Sequence, residues 1–195
     1  MAAVLSNVGV EDHREADTMT ITETTVGTTT TGERADLLDT LSKSRLFLRF
    51  TTRDLDDEQA TRRTTVSRLC LGGLIKHVSE VERRWLDFVL HGTETMPGFD
   101  EEYLAKHAAT FEMLPGETLT GLLDQYEQVA RRTDRVLADL PDLDVSHPLP
   151  EAPWFEPGAR WSARRVLLHL IAETAQHAGH ADIIRESLDG SRSMG

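Results

Sequence analysis

Apolar residues return every three or four positions along four stretches of the chain, the period of a helix with one buried face. The first stretch carries Leu37, Leu38, Leu41, Phe47 and Leu48 and predicts a helix from Glu33 to about Thr51. The second carries Leu71, Leu74, Val78, Val81, Trp85 and Phe88, with Ser67 as its expected N-cap and Gly92 as its end. Leu119, Leu122, Leu123, Tyr126, Val129, Val136, Leu137 and Leu140 mark the third, which Pro141 stops. The fourth is expected from about Trp161 to Leu188, with Gly190 beyond it. Between the first two, DLDDEQATRRTT is polar, and its acidic residues suit the first turn of a short helix. Residues 93–116 read as a connection with one or two helical turns around Glu101–Ala108. Residues 142–160 hold Pro148, Pro150, Pro153, Pro157 and Gly158 and read as an irregular loop. With no convincing strand pair, the pattern predicts an all-α four-helix bundle whose two longer connections, 93–116 and 141–160, can cross an end of it.

Ahead of the helices the pattern fades. DTMTITETTVGTTTTG, residues 17–32, holds nine threonines and almost no bulky apolar side chain. Such a segment buries too little to offset the entropy of ordering it. Residues 1–32 therefore read as a flexible tail, with Met19 as an alternative start, residues 33–190 as the bundle and 191–195 as a second tail. Threonine favours strands, but this stretch has no partner strand.

Composition narrows the function. Of the 195 residues, 33 are acidic and 21 basic, a formal net charge of −12. That surplus repels phosphate backbones and anionic membrane surfaces, so neither nucleic acid nor membrane is an expected partner. No apolar run approaches the ~20 residues of a membrane span, and the N-terminus lacks the pattern of a secretory signal. The single cysteine, Cys70, has no partner for an internal disulfide and reads as a small buried hydrophobe. A cytoplasmic protein is the expectation. There is no Gly-rich phosphate loop and no serine-nucleophile elbow.

The eight histidines carry the candidate chemistry. Along HLIAETAQHAGHAD, at ~100° per residue, Glu173, His177 and His180 fall about 40°, 80° and 20° from His169. All four share one narrow stripe. Leu168, Ala172 and Ile183 leave little of the opposite side polar, so the helix reads as buried and the stripe as facing the interior. Burying imidazoles and a carboxylate without a partner costs several kcal/mol. A divalent metal is one such partner. Glu173 and His177, one turn apart, can hold an ion from one helix, and His77, between Leu74 and Val81, is the candidate third ligand. Gly73 and Gly179 beside these histidines each suggest a steric requirement, because glycine costs a helix about 1 kcal/mol. Two histidines and a carboxylate leave a coordination position open, as a catalytic site does. His77 also has a plainer reading as a satisfied core histidine. His13, His91, His107 and His147 fall in tail, helix end or loop and read as unremarkable, and Trp154-Phe155 as a cap on the bundle end.

The segments LGGLIKHVSEVERRW (71–85) and HLIAETAQHAGHADIIRESLDG (169–190) resemble the DinB-like superfamily of metal-binding four-helix bundles, in its branch with a second-helix histidine and a fourth-helix HAGHAD motif. The likeness spans residues 33–190. It implies one metal ion held by His77, Glu173 and His177, zinc first and nickel, iron or manganese as alternatives. It further implies a low-molecular-weight thiol such as mycothiol as co-substrate. The related mycothiol-dependent isomerase has an additional domain, so the resemblance favours a small S-transferase acting on small electrophiles. A metal- or ligand-binding stress protein and a metal-dependent hydrolase are the alternatives. The thiolate then attacks an electrophile in a bundle-end cavity. His180 and His169 are expected in proton transfer or in hydrogen bonds behind the ligands, and His180 is the residue chosen as catalytic. Arg165 and Arg185 are candidates for a carboxylate of the thiol. A homodimer is expected.

Overall fold

The computed structural model describes residues 32–96 and 98–193. The threonine-rich segment before Gly32, with its expected tail and alternative start, lies outside them. Six helices follow in order: α1 (Glu33–Phe50), α2 (Asp57–Thr61), α3 (Leu71–His91), α4 (Glu101–Ala109), α5 (Leu119–Asp139) and α6 (Ala163–Asp189). A 3₁₀ turn, Gly92–Thr95, ends α3.

The four long helices are the expected ones. α1 packs chiefly on α6, α3 packs on both α5 and α6, and α1 touches α5 more lightly, so the order around the bundle is α1, α6, α3, α5. Helices consecutive in sequence are thus not always neighbours in space. The connections that cross are 51–70, which carries α2, and 140–162. Residues 92–118, expected as a crossing, join the neighbours α3 and α5 and spend their length on α4 instead.

The core divides in two. Leu41, Leu86, Phe88, Leu137, Leu167 and Leu170 lie in one cluster, and Leu48, Leu74, Ile75, Val78, Tyr126 and Ile184 in the other. Each fully buried side chain of this kind contributes roughly 1.5–3 kcal/mol relative to exposure. Between the clusters each long helix turns a buried polar residue inward: Arg45, Glu82, Thr133 and Thr174. Arg45 grips Glu82 with two nitrogens at 2.6 and 3.0 Å and reaches Asp134 at 2.8 Å, bridging the diagonal between α1 and α3.

Several local expectations are corrected. Ser67 is not the cap of α3: Cys70 holds that position without a side-chain bond, and the Ser67 hydroxyl accepts from the Leu69 N–H instead. Cys70 is buried, as its reading required. The loop before α6 is closed by a two-stranded antiparallel sheet, β1 (Ser146–Pro148) and β2 (Arg160–Ser162), pairing His147 with Trp161. Three-residue strands are too short to show an alternating pattern, which hid them. Trp161 consequently belongs to β2, and Ser162 caps α6 by accepting the Arg165 N–H. His147 is no idle loop residue: its Nε2–H donates to the Val89 carbonyl at 3.1 Å, beside Gly92, whose φ of 76° only glycine adopts easily. Finally, α6 is not buried all round. Leu168 and Ile183 stand 47% and 61% exposed on its outer side. Among the described residues, no helix is long and apolar enough to cross a membrane.

Candidate metal centre

The α6 stripe does face α3, and three donors meet there. Glu173 Oε1 lies 3.3 Å from His77 Nε2 and 3.3 Å from His177 Nε2. One donor atom from each of the three residues can be chosen so that all lie within 4.8 Å of one another. Ligands at about 2.1 Å around a tetrahedral zinc stand about 3.4 Å apart, so both imidazole–carboxylate spacings already match coordination.

The hydrogen bonds behind the triad decide which nitrogens are free. Thr110 has one hydroxyl proton, and its hydroxyl donates to the His107 carbonyl at 2.6 Å. The Thr110 oxygen, 2.9 Å from His77 Nδ1, must then accept from that nitrogen. His77 is thereby assigned as the Nδ1–H tautomer, with the Nε2 lone pair turned toward a carboxylate oxygen. Two lone pairs at 3.3 Å repel unless something positive lies between them. A proton is disfavoured, because burial, the chief influence on His77, pushes its pKa below the ordinary imidazole value. A divalent cation fits the donor set without that cost. On the other flank His180 Nδ1 stands 3.4 Å from His177 Nδ1. If His177 donates there, its Nε2 lone pair also faces Glu173, the arrangement of a metal-ligating histidine fixed through its outer nitrogen.

The segment after α4 supplies what the sequence reading missed. Phe111 stacks on the His77 ring at 3.9 Å and 21°, and His107 meets it edge-on at 5.3 Å. His107, Thr110 and Phe111 thus roof His77, and the view of His107 as unremarkable does not hold. Glycines make the close approach possible. A Cβ at Gly73 would overlap the Phe111 carbonyl, and one at Gly72 would overlap the Met113 sulfur. Gly73 therefore has its steric reason, although the space serves the 110–113 backbone rather than an ion. Gly179 has none: a Cβ there meets nothing.

Three other candidates on α6 have partners of their own. His169 lies half-buried between the edges of Trp85 (5.0 Å) and Trp161 (5.2 Å), which stack on each other at 4.6 Å. Arg165 covers the Trp161 ring at 4.3 Å. Arg185 is no carboxylate binder for a ligand: it is buried, donates to the Thr51 and Arg53 carbonyls at 2.8 and 2.7 Å, and pairs with Asp189.

A helical bundle with a buried His/Glu/His donor set between two of its helices is the class this fold and site define. Residues 36–190 match the family described as Mycothiol-S-transferase, and the chain belongs to that family, within the DinB-like superfamily. The fold is shared with a crystal structure described as a conserved protein from Enterococcus faecalis, at a TM-score of 0.58 and 15% identity over 83% of this chain and 100% of that one. No curated protein is significantly similar in sequence.

Proposed function

We propose that the chain is a metal-dependent S-transferase that joins a low-molecular-weight thiol, mycothiol first, to a small electrophile. His77, Glu173 and His177 hold one divalent cation, zinc before nickel, iron or manganese. The observation that carries this reading is the His77 Nε2 lone pair aimed at the Glu173 carboxylate, with its outer N–H committed to Thr110. A bound cation supplies the Lewis acidity that keeps a thiol sulfur as thiolate at neutral pH. The chain does the rest. Thr110 and Phe111 fix the His77 ring, His180 holds the outer nitrogen of His177, and three protein ligands leave the fourth position for substrate. His180, 3.4 Å from His177, also serves as the proton carrier. Family membership supports the thiol. The reading includes action in the cytoplasm as a homodimer.

The test is metal content and thiol consumption in one preparation. Zinc should bind near one equivalent, and His77→Ala should lose it together with turnover of mycothiol and a generic aromatic electrophile such as 1-chloro-2,4-dinitrobenzene. Bacillithiol, glutathione and cysteine serve as comparison thiols. Equal metal in both proteins removes His77 from the site. Ester or amide hydrolysis without thiol replaces the reading with a metal hydrolase. Retained metal without any turnover replaces it with a binding protein.

A further inference from the structure

A cavity of about 550 Å³ opens on the α4 side of the triad, lined by the carboxylates of Glu80, Asp87 and Glu94 and by four cations, Lys76, Arg83, Arg84 and Lys106. Three of them are matched inside the protein: Lys76 by Glu117 at 2.7 Å, Arg83 by Glu80 and Asp87, and Lys106 by Glu102 at 2.6 Å. Arg84 has no carboxylate within ion-pair distance among the described residues. It is half-buried, and of the five N–H donors of a guanidinium it gives one to the Tyr103 hydroxyl, at 2.5 Å. In a chain of net charge −12, an unmatched, partly desolvated arginine at the wall of a cavity is an anion site awaiting its anion.

Arg84 also walls a second, narrower chamber of about 230 Å³ with Trp85, Phe99, Tyr103, Trp154 and Phe155. The rings stand edge to face: Phe99 meets Trp154 at 4.7 Å and 79°, and Tyr103 at 5.3 Å and 86°. Such walls grip a flat ring from several sides. The volume lies below the ~300–1,000 Å³ of ordinary ligand pockets, so it suits one or two fused rings rather than a sugar conjugate. The chamber adjoins the metal centre on two sides. His107, which lines both cavities, touches the His77 ring, and Trp85 touches His169, one turn before Glu173 on α6.

We propose that this chamber receives the electrophile, and that the electrophile is a planar aromatic acid. Its ring enters among Trp85, Phe99 and Trp154, and its carboxylate lies on Arg84. The substrate role rests on the S-transferase reading; the acid-binding site does not. For a cinnamate-type acid the transfer is an addition. The thiol sulfur bonds to the carbon β to the carboxylate, the π pair moves to the α carbon, and that carbon takes the proton given up by the thiol. Nothing leaves and nothing is oxidised.

The test is binding of trans-cinnamate and of its neutral isostere cinnamamide to the full chain without thiol, by calorimetry and by tryptophan fluorescence. Trp85 and Trp154, two of the chain's three tryptophans, line the chamber and report on it. Cinnamate should bind at least tenfold more tightly than the amide. Arg84→Met, which keeps most of the packing stem, should erase that preference, and Arg84→Lys should restore part of it. Trp154→Ala, at a 59% exposed position the fold does not depend on, should weaken acid and amide alike. Equal affinity for acid and amide, unchanged cinnamate affinity in Arg84→Met, or no saturable binding of cinnamate overturns the proposal. Cinnamate binding without mycothiol turnover on any electrophile leaves the acid site standing and removes the S-transferase reading. Turnover of 1-chloro-2,4-dinitrobenzene without cinnamate binding does the reverse.

Discussion

Two carboxylates are drawn into this bundle, Glu82 from α3 and Glu173 from α6, and they are treated in opposite ways. Glu82 is wholly buried, yet Arg45 meets both of its oxygens and has a nitrogen left for Asp134. Each oxygen there accepts from the guanidinium. Glu173 faces two imidazole nitrogens at 3.3 Å, and at least one of them, His77 Nε2, has no proton to offer. No lysine or arginine pairs with it among the described residues. Burial is deeper at Glu82, so burial is not what marks a site. The contrast lies in the partners: Glu82 meets a fixed cation, whereas Glu173 meets only imidazole nitrogens, the set that the proposed cation would complete.

The sharpest way to break this comparison is to remove the positive charge where the protein does provide it. Arg45→Met leaves Glu82 unpaired at the centre of the bundle and should cost about 3–5 kcal/mol in urea denaturation. Adding Glu82→Leu to that variant should recover most of the loss. A cost under about 1 kcal/mol would mean that the Arg45 pairs do not hold the polar layer together. At the other cluster the sign reverses, because charge is gained rather than lost. Zinc at a hundred times its dissociation constant should stabilise the wild-type chain by about 2.7 kcal/mol, and should leave His77→Ala unmoved, in thermal denaturation followed with and without chelator. An equal response of both proteins would place any zinc elsewhere.

How much of this contrast was visible in the sequence differs between the clusters. The triad was legible because its residues obey helical spacing: Glu173 and His177 share a stripe by their four-residue step, and His77 keeps the core phase of Leu74 and Val81. The Arg45–Glu82 clamp was not, since two long side chains that meet across a diagonal leave no periodic trace, and a charge in a helix reads as solvated. The roof over His77 was hidden for another reason. Thr110 and Phe111 follow a nine-residue helix in a stretch without apolar rhythm, and nothing local announces that it lies down on α3. The one available signal was Gly73, read as a steric requirement beside His77, and what fills its space is the backbone of Phe111 and Glu112. The far side of α6 misled in the opposite direction, because exposed Leu168 and Ile183 have the same pattern as buried ones.

Those glycines sharpen the comparison at intermediate cost. Gly73→Ala forces Phe111 and its neighbours off α3 and should destabilise the chain by about 1–3 kcal/mol. Because the same movement takes Thr110 away from His77 Nδ1, the zinc-induced stabilisation should shrink with it. Gly179→Ala, at an exposed position of α6, meets open space and should raise stability by about 0.5–1 kcal/mol, with the zinc response intact. If both alanines behaved alike, the roof would play no part in holding the ligand.

The smallest expected effect is the response to acid, which should come from the open cluster and its neighbours and not from the closed one. An arginine keeps its proton at any working pH, so the grip on Glu82 from Arg45's side does not change between pH 7.5 and 5.5. His169 differs. Burial against Trp85 and Trp161 is the main influence on it and holds its pKa below the ordinary 6.5, with Glu173 opposing that shift and Arg165 adding to it. The unfolded chain therefore takes up a proton at this residue before the folded chain does. The stability contributed by the neutral ring is complete above about pH 6.5 and is lost as the pH falls from there toward the folded-state value. His169→Phe keeps an aromatic ring between the two indoles and removes the titration. Its unfolding free energy should fall less between pH 7.5 and 5.5 than that of the wild type, by an amount below the glycine effects, when both are measured in chelator so that metal release does not enter. Parallel slopes in the two proteins would mean that His169 keeps water around its ring and that packing between the two indoles does not shift its titration.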